Sequence, residues 1–126
     1  MILINYIVKG GINMTNNDFD KVVMAQLDYT SKLLLSKGKE YANNNIDRLI
    51  AFKQAGVIQQ QTAKQALCGM MAKHVVSVFD MCNTNEEYPM DRWVEKITDN
   101  INYLILLRAL VEEEANSNQE GNFKYE

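Results

Sequence analysis

Apolar residues recur at helical spacing in four stretches, separated by polar or proline-containing breaks. Thr15-Asn16-Asn17-Asp18 supplies side-chain oxygens for a helix start, and Phe19, Val22, Val23, Leu27, Leu33 and Leu34 then follow at i, i+3, i+4 intervals up to Lys37-Gly38, where the first helix is expected to end. A polar loop, Lys39 to Asn44, leads to a shorter helix with Ile46, Leu49, Ile50 and Phe52 on its apolar face and Gly56 at its end. Thr62 suits the cap of a third helix. Its stripe of Ala63, Ala66, Leu67, Met70, Met71, Val75, Val78 and Met81 is wide enough for a core face and makes this helix central.

Asn83-Thr84-Asn85 and the sole proline, Pro89, break the chain before a fourth helix that starts near Asp91. That helix carries Trp93, Val94, Ile97, Ile101, Leu104 and Ile105, and between Ile101 and Val111 it is apolar on nearly every side. A helix of this kind needs more neighbours than a small protein provides. It either runs through the middle of the bundle or meets another copy of the chain. From Asn116 the sequence turns polar and is expected to be mobile. The pattern therefore predicts an all-α fold, a bundle of about four helices. It comprises an N-terminal extension (1–14), one helical domain (15–115) and a flexible acidic tail (116–126). There is no internal repeat, no sustained heptad and no low-complexity segment.

A length of 126 residues with 47% hydrophobic content fits one packed core. A net charge of −3 argues against a duplex-DNA binder, which needs a basic surface to exchange for counterions. The charge is uneven: Lys32, Lys37, Lys39, Arg48 and Lys53 outnumber Glu40 and Asp47 in one stretch, and glutamates dominate the C-terminus. Cys68 and Cys82 fall on one predicted helix, roughly 20 Å apart at ~1.5 Å per residue, and so cannot pair with each other. Without a C-x-x-C or Cys/His spacing they suggest reduced thiols in a cytoplasmic protein and no zinc site. The apolar opening Met1 to Val8 meets Lys9-Gly10-Gly11 well short of the ~20 residues that span a bilayer, so no membrane anchor is expected. It fits a short strand, an interface segment or an extension upstream of a start at Met14.

No G-x-S-x-G, Walker-type or G-x-G-x-x-G motif is present, and there is one histidine. Three polar clusters remain. Asp91, Glu95, Asp99 and Asn102 follow at spacings of four, four and three on the fourth helix, an alignment that suits magnesium or, more plainly, a solvated face paired with Arg92 and Lys96. Lys73, His74, Ser77 and Asp80 lie on the third helix. His74 falls in the apolar stripe, as a hydrogen-bonded core histidine would, while the cation and hydroxyl of Lys73 and Ser77 suit a phosphate. The third cluster is Lys37, Lys39 and Tyr41 with Asn43 to Asn45 and Arg48. It is either an anion-binding set with a ring to stack on a base or an ordinary capped loop.

The runs Lys37-Gly-Lys-Glu-Tyr41, Asp47-Arg-Leu-Ile-Ala-Phe52, Lys73-His74 and Glu95-Lys-Ile-Thr-Asp99-Asn-Ile-Asn102-Tyr103-Leu104 together resemble small phage and prophage proteins described as nucleotide-modification-associated. Those in turn are similar to the MazG-type all-α nucleotide pyrophosphohydrolases. The likeness spans roughly residues 30 to 112. It implies an oligomeric helical bundle with a nucleotide-sized pocket and, in active enzymes, magnesium held by acidic pairs on two helices. This chain departs from that pattern: His74 and Ser77 stand where the earlier Glu-x-x-Glu spacing would fall, and Lys96 replaces an acid before Asp99. Lysines near such a site favour direct contact with phosphate over a metal.

The expected function is thus a phage-type binder of a nucleotide or nucleotide-derived signal, in the host cytoplasm, without turnover and without a cofactor. Phosphates would meet Lys73, Lys96 or Arg48 and a base Tyr41 or Trp93, with Lys37, Lys39, His74, Ser77 and Asp99 completing the ligand set. The alternative is a magnesium-dependent pyrophosphohydrolase using Glu95 and Asp99, with Asp80 or Asp91. A third reading is a structural or protein-binding bundle.

Overall fold

A computed structural model describes residues 13–41 and 47–124, and within them four α-helices and no strand. These are α1 (Asn16–Tyr41), α2 (Ile50–Gln59), α3 (Ala63–Asn83) and α4 (Met90–Lys124). None is long and apolar enough to cross a membrane. The all-α expectation holds.

α4 is the spine. Its 35 residues extend ~52 Å at ~1.5 Å per residue. α3 lies antiparallel to it, as shown by Lys64 Nζ 2.9 Å from Glu114 Oε2 at one end and Asn100 Nδ2 donating to the His74 carbonyl further along. α2 folds back on α3 through a short turn. Among the described residues α1 meets only α4 of the other helices and runs parallel to it, with Gln26 bonded to Thr98 and Arg48, beside the core residue Leu49, bonded to the Leu34 carbonyl.

Local chemistry explains the helix starts. The Asp18 N–H donates to Thr15 Oγ1, so the expected oxygens do cap α1. Thr62 and Gln65 form a reciprocal capping box at α3, each side chain accepting from the other's backbone N–H. Pro89 immediately precedes α4 and accepts the N–H groups of Arg92 and Trp93 on its carbonyl.

Three predicted boundaries need correction. α1 continues through Gly38 to Tyr41 because one glycine costs a helix only ~1 kcal/mol, so the stretch from Lys39 to Tyr41, read as loop, is helical. α2 runs past Gly56 to Gln59 and ends where Gln60 turns left-handed (φ 55°), its N–H bonding back to the helix. Gly56 serves a different purpose: a Cβ there would come within 2.8 Å of the Gln61 carbonyl oxygen, so it permits the tight α2–α3 turn. At the C-terminus the backbone stays helical through the polar residues from Asn116 to Lys124.

The core is small. Leu49, Phe52, Leu67 and Leu110 are buried together, with Ala63, Met70, Tyr103, Leu106 and Leu107 packed around them. Ala66, Leu67 and Met81 are the buried members of the α3 stripe, consistent with α3 standing between α2 and α4. On α2, Leu49 and Phe52 turn inward as expected, whereas Ile50 is 42% exposed. Residues 1–12 and Ile46 lie outside the described residues. Nor is α4 apolar on every side because it is buried on every side: Ile97, Leu104, Ile105 and Val111 are exposed.

Candidate functional site

Antiparallel packing of α3 on α4 joins two of the polar clusters. His74 Nδ1 is 3.5 Å from Asp99 Oδ2, and both side chains are largely covered (19% and 28% exposed). The Tyr103 ring, one turn beyond Asp99, lies 4.9 Å from the imidazole at a 34° tilt, and its other edge meets Phe52 of the core. Asn100 Nδ2 donates to the carbonyls of His74 (3.1 Å) and Lys96 (2.9 Å), tying the two backbones together. Each helix thereby fixes the other's polar residues, and the imidazole is backed by an aromatic ring.

Lys96 is half-buried one turn before Asn100, and its Nζ is 3.9 Å from Glu95 Oε1, a loose contact. Ser77 is half-buried one turn beyond His74 on α3, on the side toward the N-terminus of α4. Lys73 is exposed beside it. The site therefore presents an imidazole, a hydroxyl, an ammonium and one carboxylate within about two helical turns. Such a set can accept an oxyanion and orient a ring.

The remaining predicted residues sit elsewhere. Trp93 lies edge-on to Tyr88, with ring centroids 6.1 Å apart, at the start of α4; Arg92 covers the Tyr88 ring. Burial first, and then the Glu86 carboxylate that accepts its hydroxyl, push the Tyr88 phenol above its usual range. Arg48 is engaged with the Leu34 carbonyl, holding α1 rather than a ligand. Lys37 is exposed on the last turns of α1. No hydrogen bond or ion pair among the described residues joins Lys37 or Arg48 to the His74–Asp99 pair. The side chains of Lys39 and Tyr41, and Asn43 to Asn45, lie outside what the structure describes.

The acidic row of α4 does not form one solvated face. Asp91 and Glu95 are exposed and Asp99 is paired with His74, but Asn102 is only 8% exposed and its Oδ1 accepts no hydrogen bond from the described residues. Among the described residues, no group of three or more His, Cys, Asp or Glu is placed to hold a metal ion. A magnesium site would therefore rest on Asp99 and exposed Glu95, with Asp80 and Asp91 both exposed. Cys68 and Cys82 are free and exposed.

Sequence reasoning passed over two parts of the structure. Asn100 and Tyr103 complete the His74 site; the signal available was an amide and a phenol at i+1 and i+4 from Asp99 within an apolar helix. A second charged network joins the segment before α2 to α4, with Lys53 Nζ 2.6 Å from both Asp47 Oδ2 and Glu113 Oε1. Lys53, with the Leu49 N–H, holds the Asp47 carboxyl below its usual range, and the two carboxylates raise the Lys53 ammonium. A shallow open groove of about 490 Å³ lies on α2 between Ile50, Lys53, Gln54, Val57 and Ile58, away from the histidine. Its mouth is wide and its lining lacks the convergent polar groups of a small-molecule site.

No protein-family model matches the chain, and neither a curated protein nor a solved structure matches it significantly.

Proposed function

We propose that this chain binds the phosphate-bearing part of a nucleotide or nucleotide-derived signal at the α3–α4 site, without turnover. The supporting observation is the His74–Asp99 contact, with the Tyr103 ring against the imidazole; Ser77 follows His74, and Lys96 precedes Asp99, by about one helical turn. In this reading Lys96 and His74 meet the oxyanion, Lys73 adds positive charge at the rim, and Asp99 orients the imidazole. Trp93, nearly two turns before Asp99 on α4, and Tyr88 just ahead of that helix are half-buried rings that could meet a base. The phage setting, the host-cytoplasm location, the MazG-like architecture and a homo-oligomeric state belong to the same proposal.

A thermal-shift screen against mono-, di-, tri- and cyclic nucleotides, each with magnesium and with chelator, tests it. Ligand at 100 times its dissociation constant adds ~2.7 kcal/mol of stability. The expected result is a shift that survives chelation and is reduced in Lys96→Ala and Lys73→Ala. A shift that requires magnesium, with pyrophosphate release abolished by Asp99→Asn, would establish the pyrophosphohydrolase instead. No shift with any nucleotide would sink the binding reading and leave a protein-interaction bundle, which the many exposed apolar side chains of α1 and α4 favour.

A further inference from the structure

Thr98 and Asp99 are neighbours on α4, and successive residues of a helix point about 100° apart. Thr98 is bonded to Gln26 of α1, and Asp99 meets His74 of α3, so α1 and α3 stand at roughly that angle around α4. With each axis ~9 Å from that of α4, their own axes are about 14 Å apart, beyond the ~8–10 Å of packed helices. Among the described residues α1 and α3 indeed make no close backbone approach to each other. Helices are ~10–12 Å thick with their side chains, so about 3 Å is left between the two. A planar ring fits there and a helix does not.

The same rotation tells which residues line this cleft. Glu95, three residues before Thr98, and Asn102, four after it, fall within the arc and form its floor. Glu95 is exposed, while Asn102 is 8% exposed with an Oδ1 that accepts no hydrogen bond from the described residues. Further along α4, Glu113 falls in the same arc and is met by Lys53, so α2 closes the cleft at that end. On α3 the cleft side takes Ser77 and Lys73 beside His74. On α1, which runs parallel to α4, it takes Val22 and Tyr29, and both are exposed. Tyr29 is three residues on from Gln26 and Asp99 one on from Thr98. The phenol ring therefore stands within about 3 Å of the level of Asp99 along the shared axis, across the cleft from the imidazole.

We infer that a planar base lies in the α1–α3 cleft with Tyr29 as its stacking face. The inference rests on the nucleotide-binding reading and divides the ligand: the base goes to α1, the phosphates to His74 and the lysines. It sets the base at Tyr29 and not at Trp93, which lies towards the start of α4. Stacking on one aromatic side chain is sequence-tolerant, so each common base should be held.

Titration of the full chain with ATP, GTP, CTP, UTP and inorganic pyrophosphate tests the assignment. Tyr29→Ala should weaken nucleotide binding about tenfold and leave pyrophosphate binding within about twofold, whereas Trp93→Ala should leave both within about threefold. The chain has one tryptophan, so Tyr29→Trp combined with Trp93→Phe reports on the cleft alone, and nucleotides but not pyrophosphate should quench its emission. Tyr29 is 43% exposed and outside the core, so these variants should keep their helix content; should Tyr29→Ala not fold, Tyr29→Leu and the tryptophan variant decide. Nucleotide binding that the Tyr29 variants leave unchanged, or that Trp93→Ala weakens instead, overturns the cleft and spares the ligand reading. Absence of binding by every nucleotide overturns both.

Discussion

His74 and Asp99, 25 residues apart in the chain, stand with Nδ1 and Oδ2 3.5 Å apart between two helices that Asn100 ties backbone to backbone. The distance is long for a hydrogen bond, and the contribution of the contact should be correspondingly modest. A double-mutant cycle with His74→Gln and Asp99→Asn should give a coupling of about 0.5–1 kcal/mol in the ligand-free protein. A coupling near zero would mean the two side chains are merely neighbours, and would remove the orienting role given to Asp99.

Asn100 should matter more to folding than either member of that pair. Its amide supplies donors to two carbonyls on different helices, His74 and Lys96, in a half-buried position. Asn100→Ala removes the bond that joins the two helices, while the His74 carbonyl keeps its own helical bond, at a cost of about 1 kcal/mol. Urea denaturation measures this directly, and a loss under ~0.5 kcal/mol would show that water replaces the amide without penalty.

How legible all this was in the sequence depends on scale. The four apolar stripes, the Thr15 and Thr62 caps and the Pro89 break were readable because each is set within about four residues. The glycines were misread for the same reason: nothing local distinguishes Gly38, carried inside α1, from Gly56, which the α2–α3 turn needs for lack of a Cβ. The site was half legible. His74 and Asp99 stood out by type, but their meeting is set by the antiparallel docking of α3 on α4, and Arg48 reaches the Leu34 carbonyl only because of where α1 lies. Composition could place neither contact.

Asn102 offers a test of whether a buried polar group is there for stability. Its Oδ1 is buried and accepts no hydrogen bond from the described residues, a state that costs about 1–3 kcal/mol. Asn102→Leu, of similar length, should therefore leave stability unchanged or raise it by up to ~1 kcal/mol. If the same variant also loses the nucleotide-induced thermal shift, Asn102 contributes to ligand binding. Destabilisation by more than ~1 kcal/mol would contradict the unsatisfied state.

The Asp47–Lys53–Glu113 network gives stability a defined pH dependence. Asp47 is held below its unfolded value, so its contribution is complete above the ordinary carboxylate range and is lost as pH falls through the lower folded value. Lys53 is raised, so its contribution is complete below the ordinary lysine range and disappears as pH rises through the higher folded value. The side chains of Asp47 and Lys53 are about a third exposed, so solvent screening limits each pair to at most ~1 kcal/mol. Denaturation midpoints of the wild type and Lys53→Met from pH 2 to pH 8 should converge at the acid end. A constant difference across that range would remove the network from the account of stability.

Gly56 and Gly69 make the sharpest stability prediction, because the same substitution should act in opposite directions. Both are helical, so alanine at either gains about 1 kcal/mol of helix propensity. At Gly69, exposed on α3, the new methyl meets nothing within 4 Å, and the gain should appear as ~0.5–1 kcal/mol of added stability. At Gly56 the methyl meets backbone: the Gln61 carbonyl oxygen at 2.8 Å, the Thr62 carbonyl carbon at 3.1 Å and the Ala63 nitrogen at 3.2 Å. No rotamer change can relieve those contacts. The turn must open, pulling the Thr62–Gln65 capping box away from the end of α2, so Gly56→Ala should lose about 1–3 kcal/mol net. Equal effects of the two alanines in urea denaturation would show that the α2–α3 turn is not as close as described.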